Sequence, residues 1–167
     1  MNRYIKYFIG VLKHKYYVFL GCRIMKVGLW QSLIHDLSKF LPVEFFPYAR
    51  TFYDENGNKR DLRRQDGGYD PNNSKDVTEF SHAWINHQRN KHHWQAWISI
   101  GDSGNLKAVE IPEKYVREMI ADWVGAGLSY SGTKNPIRWY ETNKDTIILH
   151  EKSRKLLEKL LYENFDM

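Results

Sequence analysis

The chain has 167 residues, 42% hydrophobic and 27% charged, which is long enough for one domain with a real core and ordinary for a soluble globular protein. Its formal charge of +5 favours an anionic partner. The single cysteine, Cys22, excludes an intramolecular disulfide and a thiolate metal cage, and no window approaches the roughly 20 apolar residues of a membrane span. We therefore expect a cytoplasmic protein without a membrane partner.

The N-terminal third is predicted to be helical. The first 30 residues form an amphipathic pattern in which apolar positions recur at spacings of three and four. That stripe consists of Phe8, Val11, His14, Val18 and Cys22. Gly28 separates it from a second helical segment, "WQSLIHDLSKF", over residues 30–40. Pro42 is tolerated only in a helix's first turn, so it ends one helix or begins the next, "VEFFPYARTFY".

Residues 54–78 differ in composition from the segments around them. Gly, Asn, Asp and Pro dominate this stretch and apolar residues nearly vanish, which predicts a long mobile loop inserted between helices. Loops of this length are uncommon unless they are functional or disordered. Two interpretations stay open, a lid over a site and a solvated excursion.

Helical periodicity resumes at residue 79 and predicts an all-α fold with one minor hairpin. The first apolar stripe after residue 79 ends at His87. Residues 98–111, "ISIGDSGNLKAVEI", contain two short alternating segments about a Gly/Asp/Ser/Asn turn, which predicts a small β-hairpin. Pro112 opens a further helix. Its inward-facing residues are Tyr115, Val116, Met119, Ile120 and Trp123. After a loop over 129–136, residues 144–165 are predicted to form a C-terminal helix, and the whole chain, 1–167, a single domain.

Potential metal ligands lie on several of the predicted apolar stripes. They are His14, His35, Asp36, His82, His87, His92, His93, Asp122 and His150. One buried imidazole or carboxylate without a partner costs several kcal/mol, so a cluster of them favours a compensating cation. Taken alone, each has a simpler interpretation: His14 as a hydrogen-bonded core residue, His35-Asp36 as a helix pair, and His92-His93 as surface residues. His82 and His150 fit no cluster.

The order of these residues resembles the HD-domain superfamily of metal-dependent phosphohydrolases. The matching positions, within residues 8–126, are His14, the His35-Asp36 doublet, His87, His92-His93 and Asp122. The segment "HDLSK" is similar to the "HD-x-G-K" form of two-metal members, with Ser38 in place of glycine. The blocks "HDLSKF-P-EF", "H-x4-HHW" and "ADW-GAG" look like an uncharacterised bacterial and phage family of small HD-like proteins.

This resemblance implies an HD-like helical bundle with a divalent metal centre. The first ion would be held by His14, His35, Asp36 and Asp122. Asp36 would bridge to a second ion held by His87 and by His92, His93 or both. Imidazole and carboxylate ligands suit Mn, Fe, Co, Ni or Zn, and the absence of thiolates favours an open site with exchangeable positions.

Asp36 and Lys39 are the predicted catalytic residues. Lys39 would neutralise charge on phosphoryl oxygens, or it is a solvated lysine at a helix end. Glu44 is a further ligand, a partner of a ligand, or a surface carboxylate.

The substrate is predicted to be a small anion, and basic side chains are the candidates for binding its phosphate. They are Arg89, Lys91, Lys134 and Arg138, with Trp94 or Tyr130 available to stack on a base.

Three functions therefore stay open. The first is hydrolysis of a nucleotide or other small phosphate ester through a metal-activated water. The second is an HD-fold di-iron oxygenase similar to inositol oxygenase, which uses nearly the same ligands. The third is a non-catalytic nucleic-acid-binding module. The sequence leaves the oligomeric state open.

Overall fold

The computed structural model describes residues 1–60, 62 and 77–166, and it is 67% helical. The described elements are α1 (Arg3–Ile24), α2 (Leu29–Ile34), α3 (Pro42–Phe52), α4 (Val77–Gln88), β1 (Ile98–Ile100), β2 (Leu106–Ala108), α5 (Glu113–Tyr130), α6 (Ile137–Asn143) and α7 (Glu151–Phe165). The predicted all-α class with one minor hairpin is confirmed. None of the helices described here combines the length and apolar character that a membrane crossing requires.

Several boundaries follow the sequence signals directly. Pro42 occupies the first turn of α3, where its missing N–H costs nothing, and Pro112 immediately precedes α5. Gly28 stands before α2. The predicted hairpin pairs β1 with β2 antiparallel, with Ile98 opposite Ala108.

The predicted helix over 30–40 is wrong, because the chain breaks at the His35-Asp36 doublet. Helix α2 ends at Ile34, Asp36 has the left-handed backbone angle φ 56°, and residues 37–40 form a 3₁₀ turn. Aspartate tolerates this conformation better than most residues. The ammonium of Lys15 stabilises the break by donating to the backbone carbonyls of Leu33 and His35.

The predicted C-terminal helix over 144–165 is also interrupted. Residues 137–143 form α6, a 3₁₀ turn covers Lys144–Thr146, and α7 begins only at Glu151. The imidazole of His150 caps α7 by accepting from the Lys152 N–H at 3.3 Å. The guanidinium of Arg154 binds the backbone carbonyl of Ile147 at 2.5 Å and thereby stabilises the extended link before α7.

The sequence pattern predicts that Phe8 faces inward, but this side chain is 43% exposed, since Tyr7, four residues before Val11, occupies the inner face instead.

At the start of the predicted loop 54–78, Tyr53 pairs with Lys59 around a turn in which Gly57 has φ 77°. Asp61 and residues 63–76 lie outside the described residues, so the mobile loop stays a prediction.

The chain divides into two compact units, each with its own core. Unit 1 comprises Met1–Lys13 and Asp36–His87, and its core is largely aromatic. Its buried members are Tyr7, Val11, Tyr48, Ala49, Phe80 and Ala83. The single domain over 1–167 stays a prediction.

Unit 2 comprises His14–His35 and Gln88–Met167, and its core is mainly aliphatic. Members of that core are Val18, Cys22, Met25, Val116, Ile120, Val124, Leu157 and Leu161. Burial raises the pKa of the Cys22 thiol to about 11.

Within unit 2, two glycines permit a close approach of α1 and α5. A Cβ added to Gly21 would lie 2.5 Å from the Ala121 backbone oxygen. A Cβ added to Gly125 would lie 2.4 Å from Val18 Cγ2 and 2.7 Å from the Val18 nitrogen. Real Cβ contacts are not this short, so both positions require glycine at this helix separation.

We expect Gly125→Ala to lower the free energy of unfolding by about 1–3 kcal/mol, because the added methyl group forces α1 and α5 apart. Gly28→Ala is the matched control, since a Cβ there meets nothing within 4 Å and the backbone angle φ −57° suits alanine. The control should change stability by less than about 1 kcal/mol. Urea titration of both variants measures the difference, and equal stabilities would contradict the packing argument.

Candidate metal centre

Three side chains of unit 2 bring donor atoms to one point. His14 Nε2 lies 3.1 Å from Asp122 Oδ1, and His35 Nε2 lies 3.4 Å from the same oxygen. His35 is buried, and the side chains of His14 and Asp122 are 14% and 15% exposed. The structure thus brings together three of the seven predicted ligands within one unit.

Each of the three is positioned by a different element. His14 lies on α1 one turn before the buried Val18, so it faces the same side of the helix. His35 follows the last residue of α2, where Lys15 fixes its backbone carbonyl. Asp122 lies on α5 directly after the fully buried Ala121.

A second carboxylate faces the other nitrogen of His35. Nδ1 of His35 lies 2.9 Å from Glu118 Oε1, and both side chains are buried. A neutral imidazole carries one N–H, so if Nδ1 donates to Glu118, Nε2 presents a lone pair to Asp122 Oδ1. Two electron-rich atoms then face each other at 3.4 Å, which is favourable only with a proton or a cation between them.

Glu118 is itself held in place. Its Oε2 accepts from Gln31 Nε2 at 2.5 Å, and Gln31 also donates to the Lys114 backbone carbonyl at 3.2 Å. Nδ1 of the buried His92 lies 3.6 Å from Glu118 Oε1. His35, His92 and Glu118 therefore form a second group in unit 2 whose ligand atoms lie within 4.8 Å of one another.

Asp122 is ionised in this environment. Burial raises the pKa of its carboxyl, but the His14 and His35 imidazoles, when they carry a proton toward Asp122, lower it by more, so the pKa lies well below its usual range. A cation in place of those protons would act in the same direction. Among the described residues, Asp122 Oδ1 has no partner with hydrogen-bond geometry. The oxygen is thus charged, buried and still able to accept a ligand bond.

The donor set of unit 2 fits a divalent ion. Donors at 2.0–2.2 Å from a tetrahedral metal are separated by about 3.3–3.6 Å, and the two distances to Asp122 Oδ1 are close to that spacing. Two imidazole nitrogens and a carboxylate oxygen suit Mn, Fe, Co, Ni or Zn. The hydrogen bond of His35 to Glu118 is the kind of support that metal-binding histidines commonly have.

Unit 1 contains a similar arrangement around His87. Its Nδ1 lies 3.1 Å from Glu44 Oε2, and its Nε2 lies 3.8 Å from Asp36 Oδ1. Lys39 donates to Asp36 Oδ2 at 2.5 Å, which contradicts the interpretation of Lys39 as a solvated lysine. Burial and then the charge of Lys39 lower the pKa of His87, so its imidazole is neutral at pH 7.

Glu44 is fully buried, so the interpretation as a surface carboxylate is wrong. It accepts hydrogen bonds from Asn86 Nδ2 at 2.6 Å and from Ser38 Oγ at 3.1 Å, besides its contact with His87. Burial raises the pKa of Glu44, but these partners together lower it below its usual range. The glutamate therefore orients His87 as Glu118 orients His35.

The other predicted histidines and the predicted phosphate-binding residues are less buried than His35 and His87. His93 is half-buried, with its ring 4.3 Å from that of His92. His82 is exposed and His150 caps α7, in agreement with their exclusion from the cluster. The four predicted phosphate-binding residues are all exposed, and their role stays a prediction; they are Arg89, Lys91, Lys134 and Arg138.

Sequence reasoning missed Glu118 entirely. The available signal was its spacing, because Glu118 precedes Asp122 by four residues and so lies on the same face of α5. It also stands beside the buried Met119. A carboxylate on a helix face shared with a predicted ligand is the pattern that would have identified it.

Comparison with known proteins gives one family. A model described as a family of unknown function (DUF5662) matches residues 3–163. The comparisons with curated proteins and with solved structures gave no match. The resemblance to the HD-domain superfamily therefore stays a prediction.

We expect Glu118→Ala to weaken binding of a divalent ion to metal-stripped protein by about 10–100-fold, because His35 loses the partner that fixes its tautomer. Glu118→Gln should lose less, since its amide oxygen can still accept from Nδ1. Glu113→Ala on the same helix is the control, because that carboxylate is exposed and pairs with Arg117. Calorimetric titration with Zn²⁺ measures the affinities; unchanged affinity in Glu118→Ala would contradict the role.

Proposed function

The chain belongs to the DUF5662 family, and we propose that it is a metal-dependent phosphohydrolase acting on a nucleotide or another small phosphate ester. The observation that carries the proposal is His35, whose two nitrogens face the buried Glu118 at 2.9 Å and the mostly buried Asp122 at 3.4 Å. A neutral imidazole satisfies only one of them. His35 and Asp122 would both be satisfied if they held a divalent ion.

His14, His35 and Asp122 would hold the ion in unit 2. A bound divalent ion supplies a water of lowered pKa and polarises a phosphoryl oxygen. Glu118 would accept a hydrogen bond from the Nδ1–H group of His35, which leaves the Nε2 lone pair of that ring available to a metal ion. For Asp36, His87, His92 and His93 the ligand role, and with it the number of ions, stays a prediction from the resemblance.

Two features support a phosphorylated substrate. The formal charge of +5 favours an anion, and the exposed side chains of Arg89, Lys91, Lys134 and Arg138 are available to bind phosphate. Lys39, half-buried beside Asp36, would balance charge on phosphoryl oxygens, as the resemblance implies. The binding role of all five cations is part of the proposal.

Gently purified protein should contain at least about one equivalent of a transition metal per chain. His35→Ala and Asp122→Asn should lose that metal, because the first removes a donor nitrogen and the second removes the negative charge of the carboxylate donor. His82→Ala is the matched control and should retain it, since His82 is exposed. Elemental analysis measures the content, and circular dichroism verifies that each variant remains helical.

Turnover distinguishes the proposed reaction from its alternatives. Release of phosphate from nucleoside monophosphates that requires added Mn²⁺ or Co²⁺, and that is lost in His35→Ala, supports the proposal. Tightly bound iron with O₂ consumption would contradict it and favour an oxygenase. Salt-sensitive binding of RNA or DNA in the presence of a chelator, without turnover, would instead indicate a nucleic-acid-binding module.

A further inference from the structure

The positive charge of the protein is concentrated at one end of the sequence. The first 35 residues contain six Lys or Arg and no Asp or Glu. The rest of the chain contains 19 Lys or Arg and 20 Asp or Glu, so its formal charge is close to zero. The net positive charge of the protein therefore comes from this N-terminal segment, which favours its approach to an anionic surface.

The same segment exposes an unusual number of large apolar side chains. Of the 22 exposed large apolar residues in the described part of the chain, 11 lie within these first 35 positions. Four of them occur in unit 1 at helical spacing along α1: Ile5, Phe8, Ile9 and Leu12, which are 43–52% exposed. Because they recur every three or four residues, they share one side of the helix, which we term the N-terminal apolar face.

The opposite side of this helix is firmly packed. Tyr7 and Val11 are buried in the aromatic core of unit 1. Tyr4 makes an edge contact with Phe46, itself 41% exposed, at 5.5 Å. At the border of the N-terminal apolar face, Phe8 makes an edge contact with the Phe40 ring at 5.7 Å. The N-terminal apolar face is thus presented by a helix whose orientation is fixed within the unit.

Basic side chains accompany the face. Lys6 and Lys13 are seven residues apart, hence nearly in line along the helix, and Lys13 is exposed. Both follow the apolar positions Ile5 and Leu12 by one residue, which places them at the border of the face. No acidic residue occurs anywhere along α1.

We infer that the N-terminal apolar face binds the surface of a bilayer that contains anionic lipids. The four apolar side chains would enter the boundary between headgroups and acyl chains, and the ammonium groups would approach the lipid phosphates. A helix lying in the interface needs no spanning length. The inference therefore departs from the sequence-based expectation of a protein without a membrane partner, which rested on the absence of a spanning segment.

The observations favour a bilayer over two other occupants. A second copy related by a twofold axis would bring two acid-free helices together, and their lysines would repel. Nucleic acid would satisfy the lysines, but its polar backbone would leave Ile5, Ile9 and Leu12 without an apolar environment. A bilayer with anionic headgroups satisfies both kinds of side chain.

The test is sedimentation of the protein with large unilamellar vesicles. Vesicles of phosphatidylcholine with 30% phosphatidylglycerol should sediment the protein, and pure phosphatidylcholine vesicles should bind at least tenfold more weakly. Raising NaCl from 50 to 500 mM should release most of the bound protein, because exposed charges are screened. Equal binding to both vesicle types, or none to either, would overturn the inference.

Variants locate the binding surface. Ile9→Ser with Leu12→Ser should lower the partition coefficient at least tenfold, and Lys6→Gln with Lys13→Gln by about fivefold per lysine. Ile100→Ser with Leu106→Ser, two exposed residues of the hairpin, is the matched control and should bind as the natural protein does. Thermal unfolding verifies that all variants fold.

Two other binding partners of the N-terminal apolar face would give different experimental results. If light scattering shows a dimer that Ile9→Ser with Leu12→Ser dissociates, while vesicles are not bound, the face is an interface between copies and the inference is wrong. Lysine-dependent binding of single-stranded RNA without vesicle binding would overturn it as well. Neither result depends on metal content or phosphate release, so this inference and the proposed enzymatic function fail separately.

Discussion

A neutral imidazole has one proton, and two histidines of this protein each face two carboxylates. His35 lies between Glu118 and Asp122 in unit 2, and His87 lies between Glu44 and Asp36 in unit 1. In each case Nδ1 makes the shorter contact, with a glutamate, and Nε2 faces an aspartate. The glutamate fixes the tautomer, and the aspartate with Nε2 forms a pair of donor atoms suited to a cation.

The rest of unit 2 maintains this arrangement. Helix α5 supplies Glu118 and Asp122 from one face, and the contacts of Gly21 and Gly125 bring α1 close enough for His14 to reach the same aspartate. Gln31 occupies the second oxygen of Glu118, so that carboxylate cannot rotate without losing a buried hydrogen bond. The site therefore depends on ordinary backbone packing as much as on its charged residues.

Much of the local structure could be predicted from sequence because its causes are local. Pro42 and Pro112 predicted where α3 and α5 begin, because proline is tolerated at the start of a helix and not in its interior. A turn rich in glycine between two alternating segments predicted the hairpin. The histidines and Asp122 could also be identified as candidate ligands, since their residue types and their order along the chain are present in the sequence itself.

Other features depended on contacts between distant residues. The break after Ile34 is stabilised by Lys15 from α1, and α7 begins where His150 and Arg154 bind backbone groups. The burial of Glu44 and Glu118 could not be predicted, because glutamate is usually exposed. Only hydrogen-bond partners from other parts of the chain make its burial favourable. Which histidine nitrogen meets which carboxylate is a property of tertiary structure alone.

The burial of Cys22 has a practical consequence for studying this protein. Its thiol remains protonated near neutral pH and is shielded from solvent, so alkylating reagents and mild oxidants should not reach it while the chain is folded. A cysteine introduced at a surface position would then be the single reactive thiol. Fluorescent or spin labels can thus be attached at one chosen place while the original cysteine is left unchanged.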